Sequence, residues 1–283
     1  MMLNKIRKKL SYTTISPLFY TEQLSQAYLT PSVAGGTLKG KTAFITGATG
    51  GIGAAVCLRM AAEGCKLIIS GRNEKKLIEI KESICRRYPS VDIKCEVMDQ
   101  KDKTNINDCI FNLKEGSFPD IFINVAGIYT EVDKKRRFRN VSKKEFQNVW
   151  DTNYVGIVEF TKQAAQEMVI HNPKGCIINI SSICSIFHRY QYTPYGISKS
   201  ALTQFGLELK KDYPTLNIKT VLPGSVATIM GNLKLGDNIS RKCNILHHPA
   251  LPEEIAALVA FLCSDVGYKV SNSSIVASAC EVL

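Results

Sequence analysis

The sequence predicts an α/β protein built on one doubly wound parallel sheet of about seven strands, with helices on both faces. From Lys41 onward, short apolar runs rich in β-branched residues alternate with longer segments of helical periodicity, as repeated βαβ units require. The chain has 283 residues, enough for one large domain and too few for two domains of average size.

Six segments have the length and composition of buried strands. They are Ala43–Thr46, Lys66–Ser70, Val91–Val97, Asp120–Asn124, Cys176–Ile180 and Ile218–Leu222. Ser274–Ala277 is a candidate seventh strand at one edge of the sheet. No repeat or low-complexity block interrupts this series, so we expect residues 39–283 to form one domain. Ligands of such sheets bind at the carboxyl ends of the strands.

Composition argues against membrane and metal-binding classes. The longest apolar run, Ile255–Cys263, has nine residues, whereas a membrane-spanning helix needs ~20. We therefore expect a buried helix there and no membrane span. The ten cysteines and four histidines contain no C-x-x-C pair and no metal-ligand spacing, which favours reduced, mostly buried thiols and no metal site.

The net charge of +11 is concentrated in the first ten residues and in the segment Lys134–Arg139. Neither cluster is interleaved with aromatic residues or belongs to a recognisable nucleic-acid module, so we expect no nucleic-acid partner. The segment Lys134–Arg139 has two interpretations. It is a solvated run of charge, or a docking surface for an acidic carrier or a phosphorylated substrate tail.

Residues 1–38 form an extension that we expect to lie outside the domain. Up to Ala34 this extension is rich in Ser and Thr, has Glu22 as its one acid, and places Leu3, Ile6 and Leu10 on one helical face. That composition is typical of a mitochondrial transit peptide, and the apolar core of a secretory signal is missing. The alternative is a tail without a targeting role on a cytoplasmic protein.

A glycine-rich turn, Thr46–Gly53, follows the first predicted strand, and a helical run, Ala54–Glu63, follows the turn. Glycines here allow a tight turn and let the backbone approach a pyrophosphate, which the N–H groups at the helix start then bind. The place of the turn between strand and helix predicts a dinucleotide-binding site. The alternative is a glycine-rich turn without a ligand.

The end of the second strand indicates the kind of dinucleotide. An acid about 20 residues after the glycine turn would bind the ribose hydroxyls of NAD(H), whereas an Arg accommodates the 2′-phosphate of NADP(H). Here the strand ends in Arg72-Asn73, with no acid before Glu74. We therefore expect NADP(H) to be favoured over NAD(H), with Arg72 as phosphate ligand and Lys75 or Lys76 assisting. The alternative is that Arg72 is a solvated loop residue.

Tyr195 is followed four residues later by Lys199, which on a helix places both side chains on one face. An ammonium there stabilises a phenolate and lowers the phenol pKa from about 10. Composition alone can produce one such pair by chance, so the spacing by itself decides nothing and the surrounding motifs matter. Ser182 stands thirteen residues upstream of Tyr195, at the end of the fifth predicted strand.

Together with these residues, further motifs occur in a specific order. They are the turn Gly47–Gly53, Asn124-Val125-Ala126-Gly127 after the fourth strand, Asn153 in Asp-Thr-Asn-Tyr-Val-Gly, and Pro223–Thr228 after the sixth strand. From about Leu38 to Cys280 the chain closely resembles the classical short-chain dehydrogenase/reductases. The resemblance implies a Rossmann-type fold and an oxidoreductase that interconverts a carbonyl and a secondary alcohol of a small molecule by hydride transfer with a nicotinamide cofactor.

The resemblance also implies a role for each matching residue. Tyr195 would be the general acid/base, and Lys199 would lower its pKa and bind the nicotinamide ribose. Ser182 would polarise the substrate carbonyl, and Asn153 would hold a water that relays protons to Lys199. The implied cofactor-binding residues are Thr46, Gly47, Thr49, Gly50, Gly51, Ile52, Gly53, Arg72, Glu96, Val97, Asn124, Ala126, Gly127, Tyr195, Lys199, Pro223, Gly224, Val226 and Thr228. Of these, Glu96 and Val97 would face the adenine, and Val226 and Thr228 the nicotinamide carboxamide.

Three positions depart from the family pattern. Glu96 stands where the family usually has Asp, Val125 replaces the second Asn of the fourth-strand motif, and Ser278-Ala279-Cys280 replaces a terminal Asp-Gly-Gly. The first two changes affect adenine contacts and loop packing. The third puts in question the part of the C-terminal strand in the homodimer or homotetramer that the resemblance implies.

The sequence does not distinguish between several classes of substrate. The length of the chain and the helix start Leu251-Pro-Glu-Glu-Ile resemble the 3-oxoacyl-thioester reductases. Hydroxysteroid and other small-alcohol dehydrogenases share most of the same features. A different class, a non-catalytic nucleotide-sensing or scaffold protein, would more plausibly have lost Tyr195 or Lys199.

Overall fold

The computed structural model describes residues 38–129, 138–187, 193–228, 230, 249–271 and 273–278. Within these ranges, seven parallel strands form one sheet in the order β3-β2-β1-β4-β5-β6-β7. The strands are β1 (Thr42–Thr46), β2 (Lys66–Gly71), β3 (Ile93–Val97), β4 (Ile121–Asn124), β5 (Cys176–Ile180), β6 (Asn217–Pro223) and β7 (Ser274–Ala277). The predicted doubly wound fold is confirmed, and the predicted strand ends are displaced by at most two residues.

Helices connect the strands. They are α1 (Gly51–Ala62), α2 (Glu74–Arg87), α3 (Lys103–Lys114), α4 (Lys143–Trp150), α5 (Gly156–His171), α6 (Thr193–Asp212), α7 (Pro252–Cys263) and α8 (Asp265–Tyr268). A π-helical turn, Asp151–Val155, joins α4 to α5 without a break. Short 3₁₀ helices occupy Phe138–Asn140 and Ile183–Ser185. Among the described helices, none is long and apolar enough to span a membrane.

Two apolar cores lie on the two faces of the sheet, because successive strand residues point to opposite faces. On one face Ala43 and Ile45 of β1 pack with helices α1, α2 and α7. On the other face Phe44 packs with helices α3, α5 and α6. Phe44 and Phe160 contribute an aromatic contact there, with ring centroids 5.1 Å apart.

The strand order reverses between β1 and β4, which are neighbours in the sheet although β2 and β3 separate them in sequence. Connections leave this point toward opposite edges of the sheet and open a crevice at the carboxyl ends of the two strands. Thr46 spans the crevice, since its hydroxyl oxygen accepts hydrogen bonds from the backbone N–H groups of Val125 and Ala126 at 3.2 and 3.3 Å.

Leu38 corrects the expected boundary of the domain. Its side chain is 1% exposed and belongs to the core, so the domain begins before residue 39. The rest of the expected extension, residues 1–37, lies outside the described residues. So do residues 130–137 of the basic segment and its neighbours, and the C-terminal Ala279 and Cys280. The expectations for those segments remain predictions.

Candidate active site

A cavity of about 560 Å³ lies at the carboxyl ends of the strands. Residues that follow β1, β2, β3, β4, β5 and β6 all contribute to its wall, as the switch in strand order leads one to expect. Of the residues singled out in the sequence, the following line it: Thr46, Gly47, Thr49, Gly50, Gly51, Ile52, Gly53, Arg72, Ala126, Gly127, Ser182, Tyr195, Lys199, Pro223, Gly224, Val226 and Thr228.

The glycine-rich turn forms one wall, and two of its glycines have a steric reason. Gly47 has a φ of +65°, and a Cβ there would lie 2.6 Å from the Cα of Ala126. A Cβ on Gly53 would lie 2.1 Å from the carbonyl oxygen of Gly47. These positions therefore require glycine for the turn to close against β4 and against the start of α1.

The start of helix α1 is left open toward the cavity. Gly50 occupies the N-cap position, no side chain caps the helix, and its first turn has no acid. By contrast, Asn73, Asp102 and Ser142 cap the starts of α2, α3 and α4 with their side chains. Uncapped N–H groups and the positive end of the helix dipole suit an anion such as a pyrophosphate.

Two cations stand near this turn. Arg72 and Lys76 both line the cavity, whereas Lys75 does not. Lys76 is held in the first turn of α2, where its backbone N–H donates to the Oδ1 of Asn73 at 3.0 Å. The structure thus selects Lys76 over Lys75 as the second cation of this part of the wall.

The end of β3 corrects one expectation. Glu96 and Val97 do not line the cavity; Met98, Asp99 and Gln100 do. Glu96 instead pairs with Lys94 on the same strand at 3.3 Å. The strand continues to Val97, so the first residues to reach the cavity are those that follow its end, one to four positions after the expected contacts. Asp99 therefore supplies the acid at this end of the cavity.

Asn124 is a second correction, because it does not line the cavity either. Its side chain is buried and donates to the Thr161 hydroxyl at 2.8 Å and to the Asn179 Oδ1 at 2.9 Å. These bonds tie β4 to helix α5 and to β5. Asn124 thus fixes the spacing of elements behind the crevice.

At the opposite end of the cavity, helix α6 presents Tyr195 and Lys199 on one face. The Lys199 Nζ lies 5.8 Å from the centroid of the Tyr195 ring and donates a hydrogen bond to the carbonyl oxygen of Ile180 at 2.8 Å. Burial lowers the pKa of Lys199 to about 8, because desolvation disfavours the charged ammonium.

Ser182 follows β5 and has an oriented hydroxyl. Its Oγ accepts a hydrogen bond from the backbone N–H of Cys184 at 3.1 Å, which makes Ser182 the N-cap of the short 3₁₀ helix. A serine hydroxyl has one hydrogen to donate and accepts with its lone pairs. The bond from Cys184 uses a lone pair, so the hydroxyl hydrogen stays available to a carbonyl oxygen in the cavity.

Asn153 lies fully buried behind the cavity, in the π-helical turn. Its Oδ1 accepts from the N–H of Ile128 at 2.7 Å, and its Nδ2 donates to the carbonyl of Ile128 at 2.9 Å and to the Ser198 hydroxyl at 3.1 Å. A Cβ on Gly127 would lie 3.3 Å from the Lys199 Nζ and 3.4 Å from the Asn153 Oδ1. Gly127 thus lets both polar groups approach the same stretch of backbone.

Thr228 brings the segment after β6 against the glycine turn. A Cβ on Gly51 would lie 2.7 Å from the Thr228 Cγ2. Val226 is held by a parallel bridge to Ala250, so this segment is joined to the chain that enters α7. Both residues line the cavity.

Sequence reasoning missed several wall residues beside the predicted ones. Tyr129, Ile183, Cys184 and Met230 line the cavity, as do Met98, Asp99 and Gln100. Each follows a strand end or lies one to three residues from a predicted residue. The signal that could have found them is this adjacency, since the segment after each parallel strand must pass the same edge of the sheet.

The residues present fit a polar dinucleotide. Beyond the open helix start, the Ser70 Oγ and the Gln100 Nε2 are buried and have no hydrogen-bond partner in the described part of the chain, and both residues line the cavity. Buried polar groups usually have partners, which a bound ligand can supply. No group of three His, Cys, Asp or Glu side chains in the described ranges is arranged to hold a metal ion.

Comparison with known proteins agrees with this geometry. A profile described as "short chain dehydrogenase" matches residues 41–237. The 3-oxoacyl-[acyl-carrier-protein] reductase FabG of Rickettsia conorii is 31% identical over 243 residues, covering 84% of this chain and 95% of that protein. The 3beta-hydroxysteroid dehydrogenase 1 of Eggerthella lenta is 26% identical over 246 residues, covering 84% and 92%.

Among solved structures, a short chain dehydrogenase/reductase family protein superposes with a TM-score of 0.75 at 28% sequence identity. The match covers 86% of this chain and 97% of that one. The similarity therefore extends over most of this chain and nearly all of that one.

Proposed function

Because this chain belongs to the short-chain dehydrogenase/reductase family and is thus an oxidoreductase of the carbonyl–alcohol class, we propose that it reduces the ketone of a 3-oxoacyl thioester with NADPH. The observation that carries the catalytic part of this proposal is the grouping of Ser182, Tyr195 and Lys199 at one end of the cavity. The opposite end offers an open helix start and two cations.

We assign the proton chemistry to this group. The Ser182 hydroxyl donates to the substrate carbonyl and polarises it, since its lone pair is engaged by the Cys184 N–H. Reduction at carbon leaves an alkoxide, which the Tyr195 hydroxyl protonates as general acid. In the reverse direction Tyr195 acts as the base. The bound nicotinamide supplies or accepts the hydride.

Lys199 supports Tyr195 in this proposal. Its ammonium lies near the phenol ring and, as a cation in a buried site, stabilises the phenolate that remains after proton donation. It also faces the cavity, where it can bind a ribose hydroxyl of the dinucleotide. Asn153 holds the backbone at Ile128 and is proposed to hold the water of a proton relay toward Lys199.

NADP(H) is favoured over NAD(H) by the charges at the other end. Arg72 and Lys76 line the cavity at the end of β2 and the start of α2, and the segment Ser70–Asn73 has no acid. Two cations suit the additional phosphate of NADP(H), and a carboxylate suited to the ribose hydroxyls of NAD(H) is missing from this segment. Asp99, at the end of β3, is proposed to accept a hydrogen bond from the adenine amino group.

The substrate class has two candidates. The 3-oxoacyl thioester is favoured because the Rickettsia conorii relative, at 31% identity over 84% of this chain, bears the name of a 3-oxoacyl reductase. A hydroxysteroid is the second candidate, from the Eggerthella lenta relative at 26% identity. The wall contains Tyr129 beside Tyr195, Ile183 directly after Ser182, and Met230, which are apolar or aromatic and suit either acyl chain or ring.

A substrate panel tests this proposal. NADPH oxidation is followed spectrophotometrically with 3-oxoacyl thioesters, 3-ketosteroids and short ketones, at equal concentrations. We expect the highest kcat/KM for a 3-oxoacyl thioester. A preference for the steroids selects the second candidate. NADPH binding without oxidation of any compound would indicate the alternative class, a nucleotide-sensing or scaffold protein.

Assembly and docking are further parts of the proposal. The family resemblance favours a homodimer or homotetramer, and the exposed Val266, Tyr268 and Val276 on and near the edge strand β7 offer an apolar surface for a second copy. Light scattering after size exclusion tests the mass in solution.

An acidic carrier is proposed to dock at Lys134–Arg139. Since salt screens such an attraction, turnover of a carrier-bound substrate is expected to fall with added salt, and turnover of a short uncharged substrate is not.

The N-terminal extension is proposed to be a mitochondrial targeting segment, supported by its basic, Ser- and Thr-rich composition. Fusion of residues 1–37 to a fluorescent protein tests this directly. A cytoplasmic distribution of the fusion would favour the alternative of a tail without a targeting role.

A further inference from the structure

Tyr129 makes a contact that the catalytic assignments leave unexplained. Its ring meets the ring of Tyr195 edge to face, with centroids 5.9 Å apart and an interplanar angle of 89°. Both residues line the cavity. The distance and angle fall in the range that aromatic pairs prefer, in which the positive edge of one ring points at the negative face of the other.

The backbone that carries Tyr129 is held from behind. Asn153 is fully buried and bonds to both the N–H and the carbonyl of Ile128, the residue directly before Tyr129, at 2.7 and 2.9 Å. These bonds fix the backbone from which the Tyr129 ring extends. From this backbone the Tyr129 ring reaches the ring of Tyr195.

The position of the Tyr195 hydroxyl depends on its ring. Tyr195 stands near the start of α6, and its ring is contacted by Tyr129 and by the ammonium of Lys199, 5.8 Å from the ring centroid. General acid catalysis needs the donor oxygen within hydrogen-bond distance of the substrate oxygen, and small displacements are costly. A contact that fixes the ring thus fixes the reacting atom.

From this geometry we propose that Tyr129 is a positioning residue: its aromatic ring holds Tyr195 in the orientation for proton transfer. Tyr129 acts through Tyr195 and needs no contact with the reacting atoms. The expected effect on kcat rests on the proposed function of Tyr195 as general acid. The expected effect on the orientation of the Tyr195 ring rests on the ring contact alone.

The first test is kinetic and distinguishes an effect of the aromatic ring at position 129 from an effect of apolar bulk there. Tyr129→Phe keeps the ring, and Tyr129→Leu keeps apolar bulk without a ring. With NADPH and substrate saturating, we expect Tyr129→Phe to keep kcat within about twofold, and Tyr129→Leu to lower it about 10- to 100-fold, with an unchanged Kd for NADPH. Phe146→Leu is the matched control. The Phe146 ring stacks on the Trp150 ring with centroids 6.3 Å apart, and Phe146 does not line the cavity.

The second test needs no turnover. In protein labelled with ¹³C at the tyrosine Cζ, the Tyr195 signal is identified by its loss in Tyr195→Phe. We expect the chemical shift and titration of this signal to be retained in Tyr129→Phe and in Phe146→Leu, and both to change in Tyr129→Leu.

These outcomes separate two failures. If wild-type protein reduces no carbonyl, the proposed function fails, and the labelled signal still decides the positioning role. An unchanged Tyr195 signal in Tyr129→Leu overturns the inference, whatever the activity. A kcat for Tyr129→Leu within twofold of wild type also overturns the inference. An equal loss of kcat in Tyr129→Phe and Tyr129→Leu overturns it too, because the effect would then belong to the hydroxyl and not to the ring.

Discussion

The ammonium nitrogen of Lys199 lies 2.8 Å from the carbonyl oxygen of Ile180, so a helix and a strand of the sheet are joined by a cation inside the protein. Burial lowers the pKa of this lysine to about 8 from its ordinary value of 10.5. Its charge therefore changes in a range of pH in which exposed lysines stay protonated.

We predict that Lys199 of the free protein titrates near pH 8. The measurement is the ¹³Cε chemical shift of labelled lysines as the pH is raised, and Lys199→Arg identifies the signal by its loss. A Lys199 signal that titrates near 10.5 would contradict the prediction.

The same pKa difference affects stability. The folded pKa lies below the unfolded one, so between about 8 and 10.5 the folded protein binds fewer protons than the unfolded chain. The contribution of Lys199 to the free energy of unfolding is therefore least favourable below pH 8 and improves as the pH rises toward 10.5. Urea unfolding at about pH 7 and about pH 9.5 should show a smaller gain with pH in Lys199→Met than in wild type.

Tyr195→Phe should keep the fold and lose the reaction. The ring is retained, so packing and NADPH binding change little, whereas loss of a general acid typically lowers the rate 10²–10⁴-fold, roughly. Circular dichroism and a direct NADPH titration accompany the kinetic measurement. A folded variant with near wild-type turnover would falsify the assignment of Tyr195 as proton donor.

Arg72→Asp should weaken NADPH binding by ~2–3 kcal/mol and NADH binding much less, because a charge-assisted contact with the extra phosphate is replaced by repulsion. Calorimetric titration of both nucleotides measures the difference. Lys76→Ala should act in the same direction, with Lys75→Ala as its matched control, since Lys75 does not line the cavity. Equal effects of the two lysine variants would argue against a specific role for Lys76.

Asn153→Ala should destabilise the protein and reduce turnover together. It leaves the N–H and carbonyl of Ile128 without this partner. A fully buried group left unsatisfied costs about 1–3 kcal/mol, and because these two bonds are part-buried we expect a loss toward the lower end of that range. Denaturant unfolding gives the loss of free energy. Asn148→Ala is the control on the same continuous helix, because the Asn148 side chain bonds Lys101 at the exposed surface at 3.3 Å. Comparable losses in the two variants would refute the argument.

An N-terminal deletion that keeps Leu38 and one that removes it should differ in stability. Deleting residues 1–36 leaves Leu38 in its core site, so the melting temperature and turnover are expected to stay near those of the full chain. Deleting residues 1–38 removes a fully buried Leu, a loss of about 2–5 kcal/mol by analogy with Leu→Ala changes. A large drop for the shorter deletion would mean that the extension packs on the domain.

Periodicity and composition were sufficient to predict the sheet. Buried parallel strands are short apolar runs bounded by polar or glycine residues, and Cys176–Ile180 and Ser274–Ala277 have the predicted ends. The strand at Ile93–Val97 ends at the predicted residue and begins two residues later than predicted. The expectation for Glu96 was wrong because Glu96 is still within the strand and pairs with Lys94, whereas Asp99 follows the strand and lines the cavity.

Motif spacing could also predict contacts between side chains of one helix, but not contacts between segments distant in sequence. Tyr195 and Lys199 share a helical face by local geometry alone, and the structure places them together. The contact between Tyr129 and Tyr195 joins segments 66 positions apart, and no local pattern encodes it. For the same reason the buried bonds of Asn124 could not be distinguished from a cofactor contact until its neighbours Thr161 and Asn179 were known.

The π-helical turn that carries Asn153 places a constraint on the length of this stretch of chain. A π turn contains one more residue than an α-helical turn, and one residue corresponds to a rotation of about 100° around the helix axis. Deleting Thr152 would restore ordinary α-helical hydrogen bonding from Lys143 to His171 and would turn one part of the helix relative to the other. The side chain at the position of Asn153 could then no longer keep both its bond to Ile128 and the packing of α5. Insertions and deletions should therefore be strongly counter-selected here, even though a shorter segment would form the more regular helix.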